Sequence, residues 1–324
     1  MKNIKLGLLE FGNRHRDQSS MHSVLDVLEY AERADELGFS RFWLGEHHLF
    51  NAMAPWSSPQ MLLPLLLQQT DRIKVGMAGV LMNFYSPYHV ACDFKLLANL
   101  FPGRCDLGFA NGRPAPRIGR QMRCEQFAEY PDDFTERVQR VATLLHDEHR
   151  IMEEEQTMIP PVFGGAPELF WLGSSFRKYP EAIRGQMHMV KSTFHDINSL
   201  NYEEYDIIAR YREEFRAQHG YLPRAIIALV GICQEDERRL QAAKERLKKQ
   251  GKGTITPNTV VGPPELFLER IDALSRRYGV DEFVIFDTNE RNEEKLESLE
   301  LLSKAFQLPA VGSNSARLST PTYA

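Results

Sequence analysis

Short apolar runs alternate along the chain with longer segments whose apolar residues recur every three or four positions. IKLGLLEF (4–11) predicts a strand. HSVLDVLEYAERADELGF (22–39) follows with helical spacing: Val24, Leu28, Ala31 and Leu37 lie near one face, Glu29, Arg33 and Glu36 on another, and Gly38 stops it. RFWLG (41–45) predicts a second strand and SPQMLLPLLLQQT (58–70) a helix, with Ser58 as N-cap and Pro59 in its first turn. The alternation continues with a strand at 72–81, a helix at 86–101 and a strand at 104–110. After a helix at 131–148, residues 148–167, rich in Glu, Pro and Gly, read as an insertion. ELFWLGSS (168–175) is a strand, 180–200 a weaker strand-helix unit, 201–220 a long amphipathic helix, and RAIIALVGI (224–232) a strand. Helical segments at 234–250 and 263–278 bracket GKGTITPN (251–258), which reads as exposed, and DEFVIF (281–286) is the last strand.

About eight strands with helices between most of them admit two parallel architectures, a closed (β/α)8 TIM barrel or an open doubly wound sheet. A dinucleotide-binding open sheet carries GxGxxG after its first strand, whereas LLEFGNRHR has one glycine there. The expectation is therefore an α/β chain folded as one (β/α)8 barrel over 1–308. The 148–167 insertion is expected near its C-terminal face, and 309–324 as a loosely packed tail. Chemistry in that fold sits at the C-terminal ends of the strands.

Composition narrows the setting. The chain has 324 residues, 43% hydrophobic and 26% charged, with a net charge of -5 and the charges interspersed. This is not the basic footprint of a nucleic-acid binder, and Glu153–Glu155 and Lys248–Lys249 read as solvated faces. The residues before Glu10 are too few and too polar for a signal-peptide core, and MLLPLLLQQT (61–70) is about half a membrane span. Cys92, Cys105, Cys124 and Cys233 are scattered without CxxC spacing. A cytoplasmic chain with neither membrane nor nucleic acid as partner is expected.

The strand ends carry the candidate chemistry. The second ends in Gly45-Glu46-His47-His48. These could be metal ligands, an acid/base group or packed polar residues, but alternation in an extended segment sends His47 and His48 to opposite sides, a poor chelating pair. Gly76, Ala78 and Gly79 in the third either let something flat approach the backbone or serve tight packing. The fourth ends in Ala110-Asn111-Gly112. The fifth ends in Gly173-Ser174-Ser175, whose amides and hydroxyls form a plausible phosphate cradle where a helix begins, or only an N-cap.

In order and spacing, EYAERADELGFSRFWLGEHH, Ser58-Pro59, TDRIKVGMAGVLMNFYSP, NLFPGRCDLGFANG, FWLGSS and VVGPPELFLERIDALSRRYGVDEFVIF (260–286) resemble the bacterial luciferase-like flavin-dependent monooxygenases and their oxidoreductase relatives. The resemblance implies reduced FMN in the barrel mouth, supplied by a transient partner, a separate NAD(P)H-dependent flavin reductase, with FAD as the alternative cofactor. It assigns a catalytic base to His47 and places a non-prolyl cis peptide at Ala78-Gly79 under the flavin ring. Ala110 and Asn111 fall beside the ring, where the luciferases have a cysteine and an arginine. Gly173, Ser174 and Ser175 match the phosphate turn. FRKYPEAIRG replaces the small-residue helix start of the relatives, so Arg177 or Lys178 adds a phosphate-binding charge or the loop serves the substrate. A homodimer through helices near 59–70 and 87–100 is also implied, and Leu62, Leu63, Leu65, Leu66 and Leu67 would need its cover. The expected activity is monooxygenation of a small organic substrate. The alternatives are flavin-dependent oxidoreduction without oxygen insertion, a metal-dependent barrel hydrolase using His47, His48, His195 and carboxylates, and an inactive flavin-binding subunit.

Overall fold

The computed structural model describes residues 4–48, 52–123, 133–195, 204–249 and 258–310. Its first half runs β1 (Lys5–Glu10), α1 (Ser20–Glu36), β2 (Arg41–Leu44), a 3-10 turn (Pro59–Leu62) leading into α2 (Leu63–Gln69), β3 (Lys74–Leu81), α3 (Pro87–Leu100) and β4 (Cys105–Ala110). Three helices then precede the next strand: α4 (Pro116–Arg123), α5 (Phe134–His146), α6 (Glu148–Glu155) and β5 (Glu168–Gly173). The remainder is α7 (Tyr179–Arg184), β6 (His188–Ser192), α8 (Glu204–His219), β7 (Ala225–Cys233), α9 (Glu237–Lys249), β8 (Val260–Gly262), α10 (Pro264–Tyr278), β9 (Glu282–Asp287) and α11 (Asn292–Phe306).

All strand pairs are parallel. β1 to β7 neighbour one another in sequence order, and β9 bridges β7 back to β1, closing an eight-stranded (β/α)8 barrel. The short β8 is extra and pairs only with the end of β7, at Gly231–Cys233. Among the described residues no helix is long and apolar enough to cross a membrane.

Strand alternation fills the barrel in layers. Leu9, Trp43, Ala78, Phe170, Val190, Ile226, Ala228 and Val284 form a dry middle, with Phe11, Leu172, Phe194 and Phe286 packed above it. Two residues earlier on the same strand faces lies a charged floor. Arg41, 1% exposed, pairs with Asp106 and Glu282, each at 2.5 Å, and Trp43 Nε1 donates to Asp106 at 2.8 Å. Glu168 completes the floor against Lys74 at 2.6 Å and Arg224 at 3.3 Å. Burial alone would raise the Glu168 carboxyl, but Arg41, Lys74 and Arg224 outweigh it and hold it at about 2.

Several expectations need correction. The 148–167 insertion is not near the C-terminal face. Glu148 pairs with Lys95 at 2.5 Å and Gly165 bonds Asn99, both in the last turns of α3, and the segment feeds the first residue of β5, so it covers the opposite pole. The physical reason is chain direction: whatever immediately precedes a parallel strand arrives at that strand's N-terminal end. Ser58 makes no side-chain cap, and Pro59 opens a 3-10 turn rather than the helix. The first helix begins at Ser20, where Ser19 Oγ accepts from His22 N–H at 3.1 Å. Asn258, expected exposed, is buried and donates to Thr193 O at 3.1 Å. Of 251–258 the rest lies outside the described residues, as does 311–324 of the tail. Pro309 packs on Gly38, whose φ of +84° ends the turn after α1.

Candidate active site

The mouth is built around the turn that leaves β2. A Cβ at Gly45 would lie 2.1 Å from Phe11 Cε1, so only glycine lets the chain pass this close to that ring. The next residue, Glu46, turns inward and is 2% exposed. Its carboxylate accepts from Leu81 N–H at 3.1 Å, from the Tyr85 hydroxyl, and from Gln60 Nε2 at 3.4 Å, while His48 Nε2 lies 2.6 Å away. One acid thus ties the β2 turn to the end of β3, to the loop beyond it and to the 3-10 turn. Burial, then the Glu46 charge, push the Tyr85 hydroxyl well above its ordinary value, which keeps it a donor.

His47 goes the other way, as alternation requires. It is exposed on one side and stacks on Phe11 on the other, with ring centroids 4.4 Å apart and planes 14° apart. Together with Gly12, Ala54, Trp56 and Pro59 these two line a pocket of about 50 Å³. Phe11 meets Phe286 edge-on at 5.0 Å, Phe286 lies 6.4 Å from Phe194, and Phe194 adjoins His195 at 4.6 Å. An aromatic row therefore spans the mouth with an imidazole at each end. Burial, then the charge of His195 and that of His48, lower the His47 pKa, with Glu46 opposing them. Burial lowers that of His195, whose Nδ1 lies 2.8 Å from Ser192 Oγ. Both imidazoles favour the neutral form near pH 7.

The Ala78–Gly79 peptide is cis, and the β3–β4 register shifts between Met77 and Val80. The room beside Gly76 and Gly79 is taken by β4 backbone: a Cβ on them would meet Asp106 O at 2.1 Å and Gly108 O at 2.7 Å. Tight strand packing accounts for these two glycines, and Ala78 belongs to the dry layer under the mouth. Ala110 ends β4, and exposed Asn111 follows it. Asn83 Nδ2 donates to Asn111 Oδ1 at 2.7 Å, leaving the Asn111 amide hydrogens available to the mouth, while the buried Asn83 Oδ1 has no partner among the described residues.

Gly173 ends β5 at the same rim, with Ser174 and Arg177 exposed. Ser175 Oγ accepts from Arg177 N–H at 3.4 Å, which frees its hydroxyl hydrogen. The helix expected at the serines starts only at Tyr179 and has six residues, with Phe176–Lys178 intervening. The serines are thus a strand-end turn rather than a helix start. Lys178 is held by Glu181 at 2.8 Å, whereas Arg177 makes no ion pair among the described residues. The hydroxyls, Arg177 and the flat apolar mouth match the donor set of a phosphorylated flavin. The metal-dependent alternative finds no such match: His47 and His48 diverge, and no cluster of three potential ligands occurs among the described residues. Sequence reading missed Phe11, Gln60, Asn83 and Ser192 as parts of the site, and gave His195 only to that alternative. Their one signal was position, each lying at or just past a strand end or, for Gln60, in the 3-10 turn that folds back on one.

The family model of luciferase-like monooxygenases matches residues 5–165. By that stretch the chain belongs to the luciferase-like monooxygenase family. It is accordingly an oxidoreductase. The uncharacterized protein YwcH of Bacillus subtilis (strain 168) is 28% identical over 342 residues, covering 94% of this chain and 99% of that one. The N-acetyl-S-alkylcysteine monooxygenase of the same organism is 24% identical over 334 residues, covering 93% and 98%. Among solved structures, the oxygenating constituent of 3,6-diketocamphane monooxygenase from Pseudomonas putida, in complex with FMN, superposes with a TM-score of 0.70 at 16% identity, covering 95% and 99%. At that identity the likeness concerns the fold.

Proposed function

We propose that this luciferase-like protein is a flavin-dependent monooxygenase that takes reduced FMN from a separate NAD(P)H-dependent reductase and inserts one oxygen atom of O2 into a small organic substrate. The observation that carries this reading is the mouth itself. An apolar aromatic row lies beside the Ala78–Gly79 floor, an uncharged imidazole stands at its edge, and a turn rich in donors follows β5. The complex of the diketocamphane enzyme with FMN and the activity in the name of the alkylcysteine relative support it.

Bound reduced FMN supplies the electrons that activate O2. Ala78, Ala110 and the backbone of Gly79 would face the ring, Asn111 would donate to its polar edge, and Gly173, Ser174, Ser175 and Arg177 would hold the phosphate. Phe11, Leu172, Phe194 and Phe286 keep water from the reacting face. His47, neutral and held against Phe11, accepts and returns a proton at a ring nitrogen. Titrating the purified protein with FMN and FAD, followed by visible absorbance, tests the cofactor. Saturable FMN binding is expected, and its absence would refute the reading.

The homodimer is proposed on the same footing. Leu62, Leu63, Leu66 and Leu67 are buried within the subunit, so the leucine run needs less cover than its sequence implied. Met61 and Leu65, with Tyr88, Leu96 and Leu100 on α3, remain 74%, 51%, 44%, 50% and 43% exposed. These residues lie on the two helical segments named for the dimer contact.

A further inference from the structure

Lys191 is 1% exposed. Its Nζ donates to the backbone carbonyl of Ser174 at 2.8 Å and pairs with Glu204 Oε2, at the start of α8, at 2.9 Å. Within β6, Val190 belongs to the barrel interior while Met189 packs in the outer core. Alternation therefore places Lys191 on the outer face, beneath α8. An ammonium buried this deeply is costly unless fully partnered, and a hydrophobic side chain would fill the same place between strand and helix.

What the ammonium adds is direction. It draws the Ser174 carbonyl to the outer face of the barrel. In a trans peptide the carbonyl and the following N–H point opposite ways, so the Ser175 N–H is directed away from the Lys191 ammonium. The positive charge behind the peptide further polarises that N–H toward an anion. We propose that Lys191 is a positioning residue for the cofactor phosphate: by pinning the Ser174 carbonyl it presents the Ser175 amide to the phosphate of FMN. This rests on the assignment of the phosphate to the Ser174–Ser175 turn. Glu204 balances the buried charge and takes no part in presenting the amide.

Riboflavin has the FMN ring without the phosphate, so the ratio of riboflavin Kd to FMN Kd reads the turn alone. The paired change Lys191→Met with Glu204→Gln leaves no uncompensated buried charge. It should lower that ratio at least tenfold while riboflavin affinity stays as in the wild type. Glu204→Gln alone keeps the lysine and should preserve the FMN preference. An unchanged ratio in the paired variant would overturn the inference, and so would an equal loss of both flavins, the mark of a merely structural role, or a loss as large in Glu204→Gln alone. Ser174→Ala with Ser175→Ala separates the premise from the inference. If those changes lower the ratio and the Lys191 change does not, only the role of Lys191 fails. If the serine changes leave it untouched, the phosphate lies elsewhere and both fail.

Discussion

Replacing His47 by alanine separates two roles that the mouth combines. The imidazole is expected to serve proton transfer, worth about 10²–10⁴-fold in rate, while the proposed flavin would be held at its ring by Ala78, Ala110 and Asn111 and at its phosphate by the Ser174–Ser175 turn. His47→Ala should keep FMN affinity and lose turnover by that factor in paired titrations and rate measurements. Since burial and His195 hold His47 below its ordinary 6.5, the acid limb of kcat/KM should fall below that pH. His195→Gln removes one opposing charge and should move the limb upward; a downward shift would contradict the assignment. A different sign applies to Asp287, which burial raises to about 6 against hydrogen bonds from Ser298 and Asn289. A raised carboxyl stabilises the fold below the unfolded value near 4 and loses that contribution as pH rises through 6. Asp287→Asn should therefore gain roughly 1–3 kcal/mol at pH 7 and nothing at pH 4, read from denaturant midpoints. Alternation in GEHH was enough to divide His47 from His48. The partners of Glu46 were not legible, because Leu81, Tyr85 and Gln60 reach it only through the fold.

At the scale of elements, Arg41 joins β2 to β4 and β9 inside the barrel floor. Arg41→Met would leave Asp106 buried without its cation and Glu282 with Arg224 alone, and should cost about 3–5 kcal/mol, with little change in FMN affinity because the floor lies below the dry layer. Nearby His188 is lowered to about 4 by burial. Its neutral form stabilises the fold above the unfolded value near 6.5, and that contribution should drain away as pH falls from 6.5 to 4. Gly45→Ala should overpack the Phe11 contact by about 1–3 kcal/mol. Strands and long helices with strong periodicity were legible in the sequence. The place of 148–167 was not, because Glu, Pro and Gly mark a loop without saying at which pole it lies. α11 went unread, since EEKLESLELL mixes its charges closely with the leucines that pack it on α1 and α10.

For the whole molecule, the barrel supplies the geometry and the mouth supplies the chemistry. The exposed residues on the 3-10 turn, α2 and α3 should be covered by a second copy. Light scattering at micromolar concentration is expected to give a particle near twice 37.3 kDa, and a monomer would contradict the dimer. The central claim is that O2 delivers an atom to an organic substrate in this mouth, with His47 moving the proton. It is tested most directly by turnover under ¹⁸O2 with FMN, NAD(P)H and a separate flavin reductase, read by product mass. One labelled oxygen per product, lost together with turnover in His47→Ala, is the expected result. A product formed without label, or formed equally well in the absence of O2, would contradict it.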